Sequence, residues 1–389
     1  MTRAPAAVDV DELLDTARIL VCCGSGGVGK TTTAAALALR AAERGRKVCV
    51  LTIDPARRLA QSMGLTELDN TPRAVTGVES NAGSLDAMML DMKRTFDEIV
   101  LAHADPARAQ QILANPFYVS LSSSFAGTQE YMAMEKLGQL KAQGRWDLIV
   151  VDTPPSRSAL DFLDAPQRLG RFLDGRMIRL LLAPAKAGGR AYMKVFTVGL
   201  SMFTNVLTRI IGAQALKDLS VFVSSLESMF GGFRERAEHT YRLLKEPGTA
   251  FVVVAVPERD ALREAAFFVE RLSAEQMPLA TVVLNRVHRS GAPTLSRERS
   301  LAAAESLAAE PSADGGETSL AAAVLRVHAD RMTTAARDQR MAGQFSGAHP
   351  GVPLVEVAAQ AEDVHDLDGL RSIGAELGSG PEASAPLAG

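Results

Sequence analysis

The chain has 389 residues, a formal net charge of −3, 47% hydrophobic residues and 22% charged ones. That balance describes a soluble globular protein with a full core, and it argues against a polyanion-binding surface, so nucleic acid is not expected as a partner. Three cysteines, two of them adjacent, offer neither a disulfide framework nor a metal-ligand spacing, and the expected compartment is the reducing cytoplasm.

The start, Met1-Thr2-Arg3-Ala4-Pro5, soon runs into Asp9, Asp11, Glu12 and Asp15, and so lacks the apolar stretch of a signal peptide. The apolar run 19–23 then reads as a buried strand, and Ala34 to Leu39 reads as a helix. Between them lies Gly24-Ser25-Gly26-Gly27-Val28-Gly29-Lys30-Thr31-Thr32. The pattern G-x-x-x-x-G-K-[ST] between a strand and a helix is a phosphate-binding loop. Its glycines let backbone N–H groups turn toward phosphate oxygens, and Lys30 reaches the terminal phosphates. The Thr31 hydroxyl suits Mg²⁺, and the helix N-terminus favours negative charge. An ordinary glycine turn is the bland alternative; strand, loop and helix in that order argue against it. The chain is expected to bind a nucleotide.

Further strand-like runs follow at 48–53, 85–90, 148–151, 251–256, 281–284 and 352–357. Most are continuous rather than alternating, which suits strands buried on both faces of a parallel sheet. The expected fold class is therefore α/β: a doubly wound, mostly parallel P-loop NTPase core with an inserted helical subdomain. The core is expected to span 15–375, the insert 92–145 and 162–247, and a disordered tail 378–389, with a weakly structured stretch over 289–320.

Two of these strands end in Asp. Asp54 closes 48–53 and Asp152 closes 148–151, each at the edge where a doubly wound sheet binds its ligand. A strand-end carboxylate beside a phosphate loop is the Walker B arrangement that holds the magnesium shell. The alternative for either alone is a helix cap. The longest apolar, uncharged run, 195–208, is shorter than the ~20 residues that a spanning helix needs, so any membrane role is expected to be peripheral. Within 162–247, Met177, Met193, Phe196, Met202, Phe203, Met229 and Phe230 belong to an apolar surface that serves either as internal packing or as a groove for a hydrophobic client. His103, His239, His288, His328, His349 and His365 are scattered and take no role here.

With these motifs the chain resembles the arsenical-pump and tail-anchored-protein-targeting ATPases, dimeric P-loop proteins with a deviant Walker A, and most resembles the actinobacterial branch labelled anion-transporting ATPase. Gly26 to Thr32 resembles the loop, Thr52-Ile53-Asp54-Pro55-Ala56 switch I, and Asp152-Thr153-Pro154-Pro155-Ser156 switch II. Leu85 to Asp91 looks like the family's third strand, Val283-Leu284-Asn285 like the strand end whose Asn reads adenine, and Val352 to Val357 like the last strand. The resemblance implies a magnesium-dependent ATPase with ATP and Mg²⁺ as cofactors. Lys30 and Asp54 would be catalytic, with Asp54 orienting the attacking water. Gly26, Gly27, Val28, Gly29, Lys30, Thr31, Thr32 and Asn285 would hold the nucleotide. Thr31 would ligate the metal, and Asp152 would hold it through water.

The departures carry their own expectations. The family's second loop lysine, which reaches the partner subunit's phosphates, is replaced by Ser25. A dimer is expected, either a heterodimer with a sibling that keeps the lysine, or a homodimer in which turnover is slow or Arg57, Arg58 or Arg157 fills in. Switch II has Arg157 and Ser158 where the family usually has Gly and His. The zinc-clasping Cys-x-x-Cys is missing, and Cys22, Cys23 and Cys49 all fall in expected core strands, which disfavours an arsenite site. The resulting expectation is a nucleotide-driven dimeric switch whose helical surface binds a hydrophobic client or a membrane partner. The energising subunit of an anion pump, a positioning ATPase and a non-hydrolysing sensor are the alternatives.

Overall fold

The computed structural model describes residues 8–54, 58–80, 82–116, 118–119, 122, 128–154, 235–236, 238–292, 294–309 and 317–379. Among these, eight strands form one sheet: β1 (Ile19–Gly24), β2 (Lys47–Thr52), β3 (Arg73–Ala74), β4 (Ser84–Met89), β5 (Leu148–Asp152), β6 (Thr249–Ala255), β7 (Leu279–Val287) and β8 (Leu354–Ala358). Their order across the sheet is β3-β4-β2-β5-β1-β6-β7-β8. All pairs are parallel except β3 with β4. Every residue of β1, β5 and β6 is buried, which is why these segments read as unbroken apolar runs.

The described helices are α1 (Val10–Thr16), α2 (Lys30–Glu43), α3 (Arg58–Ser62), α4 (Met92–His103), α5 (Pro106–Leu113), α6 (Thr128–Gln143), α7 (Arg259–Ala274), α8 (Arg297–Ala309), α9 (Glu317–Ala348) and α10 (Leu367–Gly378). Alanines at 34, 35, 36, 38, 41 and 42 are buried on α2, and their small side chains let this helix lie close to the sheet and to α10. The acidic run near the start forms α1. Asp9 caps it by accepting from the N–H groups of Asp11 and Glu12, while Arg40 of α2 donates to both carboxylate oxygens of Asp11, at 2.6 and 2.8 Å.

One expectation is overturned here. Much of 289–320 is not weakly structured: α8 occupies Arg297–Ala309, and α9 begins at Glu317. The turn residues Ser290-Gly291-Ala292 precede α8, whereas Pro293 and the second turn cluster, Pro311 to Gly316, lie outside the described residues. Ser296 then accepts from the Arg299 N–H at 3.3 Å, and Leu301-Ala302-Ala303-Ala304 are strong helix formers. Ala304 and Ser300 are buried along the seam with α9.

The described residues divide into two units. The α/β unit takes in those up to Met89, 143–154 and those from Leu244 onward; the other takes in Leu90–Ala142, 235–236 and 238–243. The second unit is helical and carries its own polar network. The Tyr118 hydroxyl donates to Asp97 at 2.6 Å, Lys136 Nζ to Glu98 at 2.9 Å, and Arg236 Nε to Glu135 at 3.0 Å. The methionines and phenylalanines named above as a possible groove lie outside the described residues. No described helix is long and apolar enough to cross a membrane.

Candidate functional site

The site lies in the α/β unit, at the carboxyl ends of adjacent central strands. In the parallel registers Cys22 of β1 stands opposite Asp152 of β5, and Thr52 of β2 stands opposite the same Asp152. The loop after β1 therefore opens beside the end of β5, and the residues after β2 lie on its other side. This is the edge where a doubly wound sheet binds ligands.

Two glycines make the loop possible. Gly24 has φ 148°, and a Cβ there would lie 2.1 Å from the Val254 carbonyl oxygen on β6. Gly29, the left-handed N-cap residue of α2 with φ 92°, leaves no room either: a Cβ would come within 2.2 Å of Asn285 Nδ2. Gly26 and Gly27 are exposed on the arch of the loop, whereas Val28 is buried beneath it. Lys30 opens α2 and is buried, with Nζ donating to the Ser25 carbonyl at 2.7 Å. Burial lowers its pKa, against the opposing pull of Asp152 and Asp54. Thr31 and Thr32 follow on the first turn, both partly exposed.

Asp152 is the centre of the arrangement. Its carboxylate is 0% exposed, and Oδ2 accepts from Thr31 Oγ1 at 2.8 Å and from Thr52 Oγ1 at 2.9 Å. Oδ1 is buried with no hydrogen-bond partner among the described residues. Burial raises its pKa from 3.8 to about 6, although the Thr31 and Thr52 hydroxyls and Lys30 act the other way. A buried, unpartnered carboxylate oxygen beside a hydroxyl is an oxygen donor set that suits magnesium, which favours hard ligands and keeps part of its water shell. The residues present thus fit that ion. The charge of Asp54 registers at both Asp152 and Lys30, so the three form one electrostatic group.

Thr52 stands in the segment that resembles switch I, but took no role of its own from the sequence. Its hydroxyl donates to Asp152 and accepts from the Asp54 N–H at 3.2 Å, so it ties the segment carrying Asp54 to the Asp152 carboxylate. The available signal was a single hydroxyl inside an apolar strand, two residues before Asp54. The Asn285 amide is engaged at both ends: Nδ2 donates to the Val28 carbonyl at 2.9 Å, and Oδ1 accepts from the Arg286 N–H at 2.9 Å. It braces the phosphate loop. Arg57, Arg157 and Ser158 lie outside the described residues, as does the side chain of Arg58. Cys22, Cys23 and Cys49 are buried in β1 and β2, and burial pushes the Cys23 and Cys49 thiols up to about 12.

A family model described as anion-transporting ATPase matches residues 17–294, a span that contains the loop, Asp54, Asp152 and Asn285. The chain belongs to this family. Its relatives include ATPase GET3 of Podospora anserina, 26% identical over 270 residues, 68% of this chain and 71% of that protein. ATPase GET3 of Ajellomyces dermatitidis is 26% identical over 288 residues, 72% of this chain and 76% of that protein. An ATPase ASNA1 homolog of Cryptosporidium parvum is 26% identical over 265 residues, 68% of this chain and 63% of that protein. As a member of the anion-transporting ATPase family, this chain is an ATP-binding hydrolase that splits ATP.

Proposed function

We propose that ATP is bound and hydrolysed at the loop 24–31 with magnesium, and that hydrolysis drives a dimeric switch whose helical part holds a hydrophobic client or a membrane partner. The single observation that supports this best is Asp152: a carboxylate buried against its own solvation, with one oxygen left open beside Thr31 and Thr52. Thr31 and, through water, Asp152 would hold the metal, which supplies positive charge to the phosphate oxygens. Gly26, Gly27, Val28, Gly29 and Thr32 line the cradle with backbone N–H groups. Lys30 meets the terminal phosphates. Asp54 orients the attacking water, and Thr52 holds Asp54 in register with Asp152. Asn285 braces the loop through the Val28 carbonyl and would contact the base of the nucleotide.

Because Ser25 supplies no charge, the partner in this reading is a sibling subunit that keeps the second lysine. A catalytic cation delivered from outside a site is worth roughly 10³–10⁵ in rate in related reactions. Targeting of tail-anchored proteins is the client chemistry we favour, in the cytoplasm. The description anion-transporting ATPase supports a second reading, in which the same engine energises an anion pump.

Lys30→Ala should abolish ATP binding, and Asp54→Asn should keep binding while slowing hydrolysis. Full turnover in either variant would remove the assigned role. Affinity capture with the ATP-locked Asp54→Asn chain should retain the partner. Equal hydrolysis by the chain alone and with a lysine-bearing sibling would refute the pairing.

A further inference from the structure

The five residues Asn285 to Arg289, where β7 leaves the sheet, are held from several sides at once. Asn285 reaches the Val28 carbonyl of the phosphate loop. Arg286 is a non-glycine residue in the left-handed region, φ 58°, at the point where the β7–β8 register shifts between Leu284 and Val287. Such an irregularity beside a site re-aims a side chain, and it persists only where its surroundings over-determine it. Here the side chain aimed is Asn285, since the Arg286 N–H donates to its Oδ1.

The anchor on the far side is a residue no motif marks. Asp338, in α9, is 0% exposed, and its Oδ2 accepts both the backbone N–H of His288 at 3.1 Å and the ring Nδ1 at 2.8 Å. Its Oδ1 meets Arg337 at 3.2 Å. A carboxylate without exposure is tolerated only when its oxygens are satisfied; the turn after β7 satisfies Oδ2, and Arg337 satisfies Oδ1. The neighbouring contacts run the same way: Arg331 of α9 donates to the Arg289 carbonyl at 2.7 Å.

We propose that Asp338 is a positioning residue of the nucleotide site: through His288 it fixes the strained turn that aims Asn285 at the phosphate loop. Loss of Asp338 strands the His288 N–H, the turn relaxes, and the Asn285 amide drifts from Val28. The loop then closes on phosphate less often in the right shape. This rests on the reading that the loop 24–31 is the nucleotide site.

The test is binding of a fluorescent ATP analogue with magnesium to the full chain. Asp338→Ala should raise Kd about tenfold, as expected for one lost buried hydrogen-bond set, with kcat falling less than Kd rises. Asp338→Asn, which keeps an oxygen facing His288, should recover most of the affinity. Combined with Asn285→Ala, Asp338→Ala should add nothing further, because both act on one contact. Unchanged Kd in a folded Asp338→Ala chain, or an additive double variant, overturns the proposal. Should Asp338→Ala fail to fold, His288→Ala decides: a Kd raised about threefold supports the clasp, and an unchanged Kd refutes it. Lys30→Ala separates the two readings. If it binds at full strength, the loop assignment fails; if it loses binding while Asp338→Ala does not, only the clasp falls.

Discussion

Replacing Asp152 by Asn should stabilise the ligand-free protein at neutral pH, even though it removes a residue assigned to the metal. Burial lifts the Asp152 pKa from 3.8 to about 6, so between those values the folded protein keeps a proton that the unfolded chain has released. A fold that binds more protons than its unfolded chain loses stability as pH rises. At about 1.36 kcal/mol per pKa unit the penalty grows to about 3 kcal/mol once pH exceeds the folded pKa, and it vanishes below the unfolded one. Asn carries no charge, so its advantage over Asp should be near zero at about pH 4 and reach at most about 3 kcal/mol by about pH 7. Whatever the amide loses in accepting from Thr31 and Thr52 reduces this ceiling equally at every pH. The assay is urea unfolding of both proteins across that range with chelator and no nucleotide. Magnesium and ATP should reverse the order, stabilising the parent chain more than the variant. A difference that stays flat with pH, or grows toward acid, would show that Asp152 is not the desolvated carboxylate described here.

Thr52→Val, which keeps shape and removes the hydroxyl shared by Asp54 and Asp152, should slow hydrolysis about tenfold at saturating ATP, while Thr52→Ser restores it. Steady-state assays with a parallel binding titration check this, and a change in binding alone would refute it. Gly29→Ala places a Cβ against Asn285 Nδ2 on a left-handed backbone; it should cost about 1–2 kcal/mol in thermal unfolding and weaken nucleotide binding sharply. Parent-like melting and affinity in that variant would mean that the brace between Asn285 and the loop does not form.

The parts that could be read from the sequence share one property: their physics is local. The loop is legible because glycines, lysine and threonine must stand at fixed spacing between a strand and a helix. Asp54 and Asp152 are legible because each ends an apolar run, and β1, β5 and β6 because both faces are buried. What stayed hidden depends on distant pairings. Asp338 and His288 meet across 50 residues, and Asn285 meets Val28 across 257. The two-residue β3 has too little sequence to show a period, and α8 lies between two clusters of turn residues, Ser290 to Pro293 and Pro311 to Gly316, that hide it. Thr52 failed for a subtler reason. A threonine suits a strand, so nothing in its type separates packing from hydrogen bonding to a buried carboxylate.

The charges of the site carry the last step. Lys30 is the cation whose field reaches Asp152, and the Asp54 carboxylate opposes it there. Above the Asp152 pKa the group therefore holds two carboxylates and one ammonium, and that ammonium already donates to the Ser25 carbonyl. That bond uses one of the three donors of the ammonium, so the others remain for a triphosphate, which even with magnesium brings further negative charge. The N-terminus of α2 offsets only a fraction of a unit. Ser25 adds no charge to meet what accumulates on the departing phosphates, and Lys30 is the cation that this group supplies among the described residues. In the proposed dimer a second cation arrives from the sibling subunit, and hydrolysis becomes conditional on pairing.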